Sequence, residues 1–255
     1  MAALKEKAPL MAIVLDFETG GRDCQKAACT QLSMHMVKLG TMETVSKFVK
    51  YFYPYNKKEV KALGKKRVLK SKYDEEEKVP MLYEEDALVY SDISMDLLES
   101  KGEPIQDVVD AALQWIEDNT PEGTGKISKP FMIGQNIDFD KGFFCQMLEY
   151  TDNVNRAKGL MRGHVDFYGH WQPDTLDTLL LGQVALCNNP DVTSYKLELL
   201  CENLGIELDD AHDADADVTA TQNVMAVLAG RMRSVDGSSE VVMQKTEKTR
   251  KHFVI

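Results

Sequence analysis

Apolar positions follow two rhythms along this chain. Near the start, Met11-Ala-Ile-Val-Leu-Asp-Phe is almost continuously apolar, which predicts a short, largely buried strand. Alternation and aromatic content at 33–39 and 45–53 predict two more strands. Their close spacing predicts an antiparallel meander. From 104 to 119 the period changes. Ile105, Val108, Val109, Ala112, Trp115 and Ile116 share one helical face, and Pro104 suits the first turn. Phe131-Met-Ile-Gly predicts a buried strand, and Phe143, Phe144, Met147 and Leu148 predict a helix after it. Another helix is predicted over 176–186. Leu197, Leu200, Cys201 and Leu204 form a stripe on the next, which Gly205 can end at its C-cap. Val218, Thr221, Met225 and Leu228 mark a long final helix. This order predicts an α/β fold, with one mixed sheet and helices on both faces.

Two charged segments interrupt the pattern. Residues 57–72 hold eight basic residues and one acidic; residues 74–86 hold seven acidic and one basic. Neither shows apolar periodicity. They predict a partly helical insertion at about 55–87 in a single domain spanning 1–240, with a basic tail at 241–255. Two readings of the insertion stand side by side: segments that neutralise each other on the surface, or a basic flap that guides a nucleic-acid backbone.

Composition narrows the class. The 255 residues are 44% hydrophobic and 28% charged, which excludes disorder across the whole chain. No apolar run approaches the roughly 20 residues of a membrane span, so no membrane partner is expected. The first residues lack the apolar core of a signal peptide. Five cysteines at scattered spacings and no Asn-x-Ser/Thr sequon predict free thiols in a reduced, cytoplasmic compartment. The net charge of −11 argues against a broad basic surface for duplex DNA. It leaves room for an enzyme whose acidic site carries its positive charge as bound metal.

Three acidic motifs bear on that. In Leu15-Asp-Phe-Glu-Thr-Gly-Gly, residues two apart on a strand share a face, so Asp16 and Glu18 can present paired carboxylates. Two such anions repel unless a cation joins them, and Mg²⁺ prefers carboxylate oxygen. Gly20 and Gly21 permit a sharp turn and close approach by a ligand. In Gly134-Gln-Asn-Ile-Asp-Phe-Asp, Asp138 or Asp140 is either a helix cap or a further ligand. In Ala211-His-Asp-Ala-Asp-Ala-Asp-Val, the lead-in to the last helix places His212 before Asp217, and an imidazole suits a general base near neutral pH. A calcium loop starting at Asp213 is rejected, because its required Gly and Glu positions hold Val218 and Val224. His164, Asp166 and His170 are assigned to loop packing rather than a second metal site.

The ordered set resembles the DnaQ-like, DEDD-type 3′–5′ exonucleases of the histidine subclass. Asp16-Phe-Glu18, Asn136-x-x-Phe-Asp140 and His212-x4-Asp217 match that family's segments in order, supported by Leu176-Asp-Thr-Leu and Ser194-Tyr-Lys-Leu. The resemblance covers 10–53 and 88–230. It departs at Gln135, where many members have His. It implies a ribonuclease-H-like fold, with Asp16, Glu18, Asp140 and Asp217 as ligands of two Mg²⁺ or Mn²⁺ ions and His212 as the base that activates water. The implied reaction hydrolyses phosphodiesters at a 3′ end of DNA, preferably single-stranded, and releases nucleoside 5′-monophosphates. It also implies that Phe17, Thr19 and Gly20 border the terminal nucleotide. For Phe17 core packing is the favoured reading, because its side chain points opposite to Asp16 on an ideal strand, and Asn136 either contacts the nucleic-acid backbone or fixes its own loop. An exoribonuclease with the same site and a non-catalytic, polymerase-associated binding module are the alternatives. Any DNA polymerase or other replication or repair partner is expected to be a separate chain.

Overall fold

The computed structural model describes residues 9–58, 79–122, 128–207 and 214–233. The expected meander forms from β1 (Met11–Thr19), β2 (Cys29–Lys38) and β3 (Glu43–Tyr51), paired antiparallel. Two short helices follow, α1 (Glu85–Tyr90) and α2 (Met95–Lys101), then α3 (Ile105–Asp118). Ser94 caps α2 by accepting from the Leu97 amide at 3.1 Å. Pro104 stands at the N-cap of α3 rather than inside its first turn. β4 (Phe131–Gly134) pairs parallel to β1 and leads into α4 (Asp138–Tyr150) and α5 (Val154–Leu160).

Beyond α5 the chain makes a small hairpin, β5 (Gly163–Val165) and β6 (Trp171–Pro173), then β7 (Thr175–Asp177), α6 (Thr178–Leu186), α7 (Leu197–Leu204) and α8 (Ala214–Arg233). The expected helix over 176–186 is therefore part strand. Its first residues pair parallel to β4, and the helix starts once Asp177 accepts the Leu179 amide. Gly205 ends α7 in the left-handed region at φ 70°, as the sequence predicts. The five-stranded sheet runs β3-β2-β1-β4-β7, a mixed ribonuclease-H-like sheet.

Both faces of that sheet are covered, and β1 shows why its sequence is so apolar. Ile13, Leu15 and Phe17 enter one core with Val108, Val109, Leu113, Phe143, Phe144 and Met147 from α3 and α4. Ala12 and Val14 enter the other with Val218, Met225 and Ala229 from α8. A strand buried on both faces has no polar side to alternate with.

Part of the charged insertion belongs to the fold. The Leu82 amide donates to the Lys26 carbonyl at 2.9 Å, its carbonyl accepts from Ala28 at 3.2 Å, and the Glu84 amide donates to the Gly20 carbonyl at 2.7 Å. The run 59–78, with Lys65, Lys66 and Arg67 of the flap reading, lies outside the described residues, as does the tail from 234 on. Among the described residues no helix is long and apolar enough to cross a membrane.

Candidate metal centre

The C-terminal end of β1 carries the first two carboxylates. Asp16 pairs with Ser33 and Glu18 with Gln31 on β2, and a register shift follows between Glu18 and Thr19. Such an irregularity bends a strand where pairing ends and re-aims its side chains. Asp16 and Glu18 share the face that α8 covers, the face of Ala12 and Val14. From the first turn of α8 comes Asp217. Ligand oxygens of Asp16, Glu18 and Asp217 lie within 4.8 Å of one another, and all three side chains are half-buried.

Asp140 approaches differently. It lies on the first turn of α4 and is 3% exposed. One of its oxygens accepts the Phe17 amide at 3.0 Å, across a sequence separation of 123 residues. Among the described residues, the mutually close set does not include it. Burial pushes the Asp140 carboxyl up to about 8, with Asp177 adding to the rise, while the Phe17 amide pulls it down. It does not cap α4, and neither does Asp138. The N-cap is Ile137, with no side-chain cap bond, and exposed Asp138 pairs with Lys141 instead.

The turn that delivers Asp140 is held by its neighbours. Asn136 adopts φ 55°, a region a short polar residue tolerates, and its amide donates to Asp177 Oδ1 at 3.0 Å. The same oxygen accepts the Leu179 amide at 2.9 Å, so Asp177 ties the β4–α4 turn to α6. Gln135 donates to the Tyr195 carbonyl at 2.7 Å and accepts from Thr178 Oγ1 at 2.7 Å. The residue that departs from the family pattern thus stitches this turn to the strand–helix unit beside it and to the segment before α7.

The other expected contacts divide. The Phe17 ring is in the core, 4% exposed and 6.4 Å from the Phe143 ring centre, so only its backbone serves the site. Thr19 is buried and donates to the Gly21 carbonyl at 2.9 Å. Gly20 is enclosed: a Cβ there would stand 2.5 Å from the Leu82 carbonyl oxygen. The Asn136 side chain is exposed. His212 lies outside the described residues. His164, Asp166 and His170 belong to the β5–β6 hairpin. There His164 Nδ1 meets Asp174 at 3.1 Å, and Asp166 accepts the Tyr168 and His170 amides at 2.9 Å each.

One residue that feels the acidic cluster lies outside every sequence motif. The Tyr90 phenol, pushed up by burial, is raised further by the charges of Glu198, Asp217 and Glu18. Tyr90 is nevertheless 65% exposed. An exposed aromatic at a helix end carries no sequence signal that distinguishes it from any other surface tyrosine.

No protein-family model matches this chain, and no curated protein matches it. Solved structures do. E. coli exonuclease I in complex with a dT13 oligonucleotide superposes with a TM-score of 0.62 at 18% identity, over 88% of this chain and 42% of that one. A zinc-bound E. coli exonuclease I–single-stranded DNA complex gives 0.60 at 18% identity, over 88% and 41%. Exonuclease I from Methylocaldum szegediense gives 0.58 at 19% identity, over 87% and 41%. The chain therefore spans less than half the length of these proteins. At such identities the likeness is one of fold, and the fold is the ribonuclease-H-like one that the sequence motifs imply.

Proposed function

We propose that this chain is a divalent-metal-dependent 3′–5′ exonuclease acting on single-stranded DNA ends. The observation that carries the proposal is the convergence of Asp16, Glu18 and Asp217, from opposite ends of the sequence, within 4.8 Å. Three carboxylates this close repel unless a cation joins them. Asp140, buried with its carboxyl raised to about 8, adds a fourth acidic group that a cation would ionise. A donor set made only of hard oxygens fits Mg²⁺ or Mn²⁺. The family resemblance supports two ions held by Asp16, Glu18, Asp140 and Asp217. When bound, such ions would neutralise the phosphodiester and supply a nucleophile at neutral pH.

The chain's own residues divide the remaining work. Asp16 and Glu18 stand on a strand buried on both faces, which fixes their separation. Asp217 closes the set from α8, and Asp140 is oriented by the Phe17 amide. His212, in the lead-in to α8, takes the proton from the attacking water. The backbone around Thr19 and Gly20, pinned by Ala28 and Glu84, borders the terminal nucleotide, with Tyr90 at the rim. The preference for DNA rests on the Ser194-Tyr-Lys-Leu and His212-x4-Asp217 stretches, and on the oligonucleotides bound by the structural neighbours.

The test is digestion of 5′-labelled single-stranded DNA and RNA with Mg²⁺ or Mn²⁺, with Asp16→Ala as the control. A 3′-shortening ladder on DNA that the variant lacks is the expected result. A ladder mainly on RNA would replace the DNA assignment. Cleavage that survives Asp16→Ala, or none on either substrate, would overturn the proposal.

A further inference from the structure

Beneath the first turns of α8, an otherwise apolar interface contains a buried polar network. At its centre is His35 on β2, 1% exposed. Its Nε2 meets Asp215 Oδ1 at 2.7 Å, and its Nδ1 meets Gln222 Oε1 at 2.9 Å. The Gln222 amide donates to the Met42 carbonyl at 2.7 Å, which turns its oxygen toward His35. Both ring nitrogens therefore face side-chain oxygens of α8, which tie the ring to that helix at two positions, Asp215 and Gln222. Lys47 on β3, the cross-strand partner of His35, donates to Asp215 Oδ2 at 3.0 Å, and Ser33 Oγ donates to Oδ1 at 3.2 Å.

The register connects this network to the metal centre. Ser33, which holds Asp215, lies directly opposite Asp16, and His35 lies opposite Val14. Two residues beyond Asp215, on the same helical turn, is Asp217, the carboxylate that joins Asp16 and Glu18. Without an ion, the repulsion among these three carboxylates pushes Asp217 and the start of α8 away from β1. The apolar contacts of Val218 and Met225 are non-directional and set neither the rotation nor the axial position of the helix. Bonds from two strands to a single carboxylate set both.

We infer that His35, Lys47 and Asp215 are positioning residues, a clamp that holds the first turn of α8 on β2 and β3 so that Asp217 is pre-organised for metal binding. This inference rests on the metal-centre reading above and names residues outside its ligand set. Clamp partners act on metal affinity through Asp217, as outer partners of metal ligands generally do, by about 10- to 100-fold.

The experiment is direct titration of the full-length protein with Mn²⁺, following the free ion by electron paramagnetic resonance. Wild type is compared with His35→Leu, His35→Gln, Lys47→Met and Asp16→Ala, with thermal unfolding of each in EDTA. His35→Leu should bind Mn²⁺ about tenfold or more weakly, His35→Gln should recover part of that loss, and Lys47→Met should bind more weakly than wild type. The sign discriminates. Removing the Lys47 cation would tighten Mn²⁺ binding if that side chain acted through charge alone, and a purely structural role of either residue would lower the unfolding temperature without changing affinity. Wild-type or tighter affinity in folded His35→Leu or Lys47→Met overturns the clamp. If His35→Leu does not fold, Lys47→Met, whose side chain is 49% exposed, decides by itself. Asp16→Ala separates the two readings: if it leaves Mn²⁺ binding unchanged, the metal centre is wrong whatever the clamp variants do.

Discussion

Replacing Asp140 with Asn should stabilise the metal-free protein near neutral pH. The folded protein raises this carboxyl to about 8, chiefly by burial, against an unfolded value of about 3.9. The folded state therefore holds the proton more tightly than the unfolded chain. That contribution is fully present below about pH 4 and is lost as pH rises toward 8. At pH 7.5, carrying the carboxyl into the metal-free core costs on the order of 4 kcal/mol relative to acid conditions, at about 1.4 kcal/mol per pH unit. Asparagine escapes this cost and still offers an oxygen to the Phe17 amide. It buries an amide NH₂ in exchange, which returns about 1–3 kcal/mol if unpaired. The net is roughly 2 kcal/mol, or about 4–8 °C in unfolding temperature for a domain of this size. Thermal unfolding in EDTA from pH 4.5 to 8 tests it: Asp140→Asn should be the more stable form at pH 7.5 and should lose that advantage by pH 4.5. Saturating Mg²⁺ should reverse the order at pH 7.5, because only the wild-type site gains full binding energy. A difference that does not vary with pH, or a less stable variant at pH 7.5 in EDTA, would refute the reasoning.

Gly20→Ala should lower exonuclease activity, because the new Cβ meets the Leu82 carbonyl at 2.5 Å and must displace the limb that closes over the end of β1; steady-state kinetics on labelled single-stranded DNA check it. Phe143→Ala should destabilise the fold by about 3–5 kcal/mol, since the ring is fully buried between β1 and α4, as measured by urea unfolding. In the native protein a thiol reagent should label exposed Cys187 first. Cys29, buried and raised to about 12, should react only after unfolding, as mass mapping of the adducts would show.

The meander, α3, α4, α7 and α8 were legible because each carries an apolar period that its packing then uses, and β4 because Phe131-Met-Ile is a compact apolar run closed by Gly134. β7 was not. Three residues are too few to show alternation, and Leu176 continues smoothly into the apolar run of α6. What divides strand from helix is the Asp177 side chain on the Leu179 amide, a contact with no periodic signature. The hairpin of β5 and β6 failed for the same reason, with three residues in each strand. The limb 79–84 was hidden by composition. It is a short, largely apolar stretch, Val79-Pro-Met-Leu-Tyr-Glu84, enclosed in an acidic run and too brief to show a period, yet it is fixed by backbone bonds to Gly20, Lys26 and Ala28, which any sequence could make.

The chemistry was legible where chemistry and period coincide. Asp16 and Glu18 lie two apart on a strand, so one face receives both. The Asp213-Ala-Asp-Ala-Asp stretch has the same spacing, but on a helix each residue turns about 100°. Asp215 and Asp217 are therefore about 200° apart, and the helix aims them at different strands. Asp217 goes to β1 and the acidic cluster. Asp215 goes to β2 and β3, where burial raises its carboxyl but the bonds from His35 and Lys47 hold it below the ordinary range. Its partner His35 continues the polar alternation of Gln31 and Ser33 along β2, and the groups that explain it are 180 and 187 residues away. A single acidic run thus supplies one carboxylate to the site and another to the clamp that holds the first in place. Only a sheet register that sets Ser33 opposite Asp16 makes the second role visible.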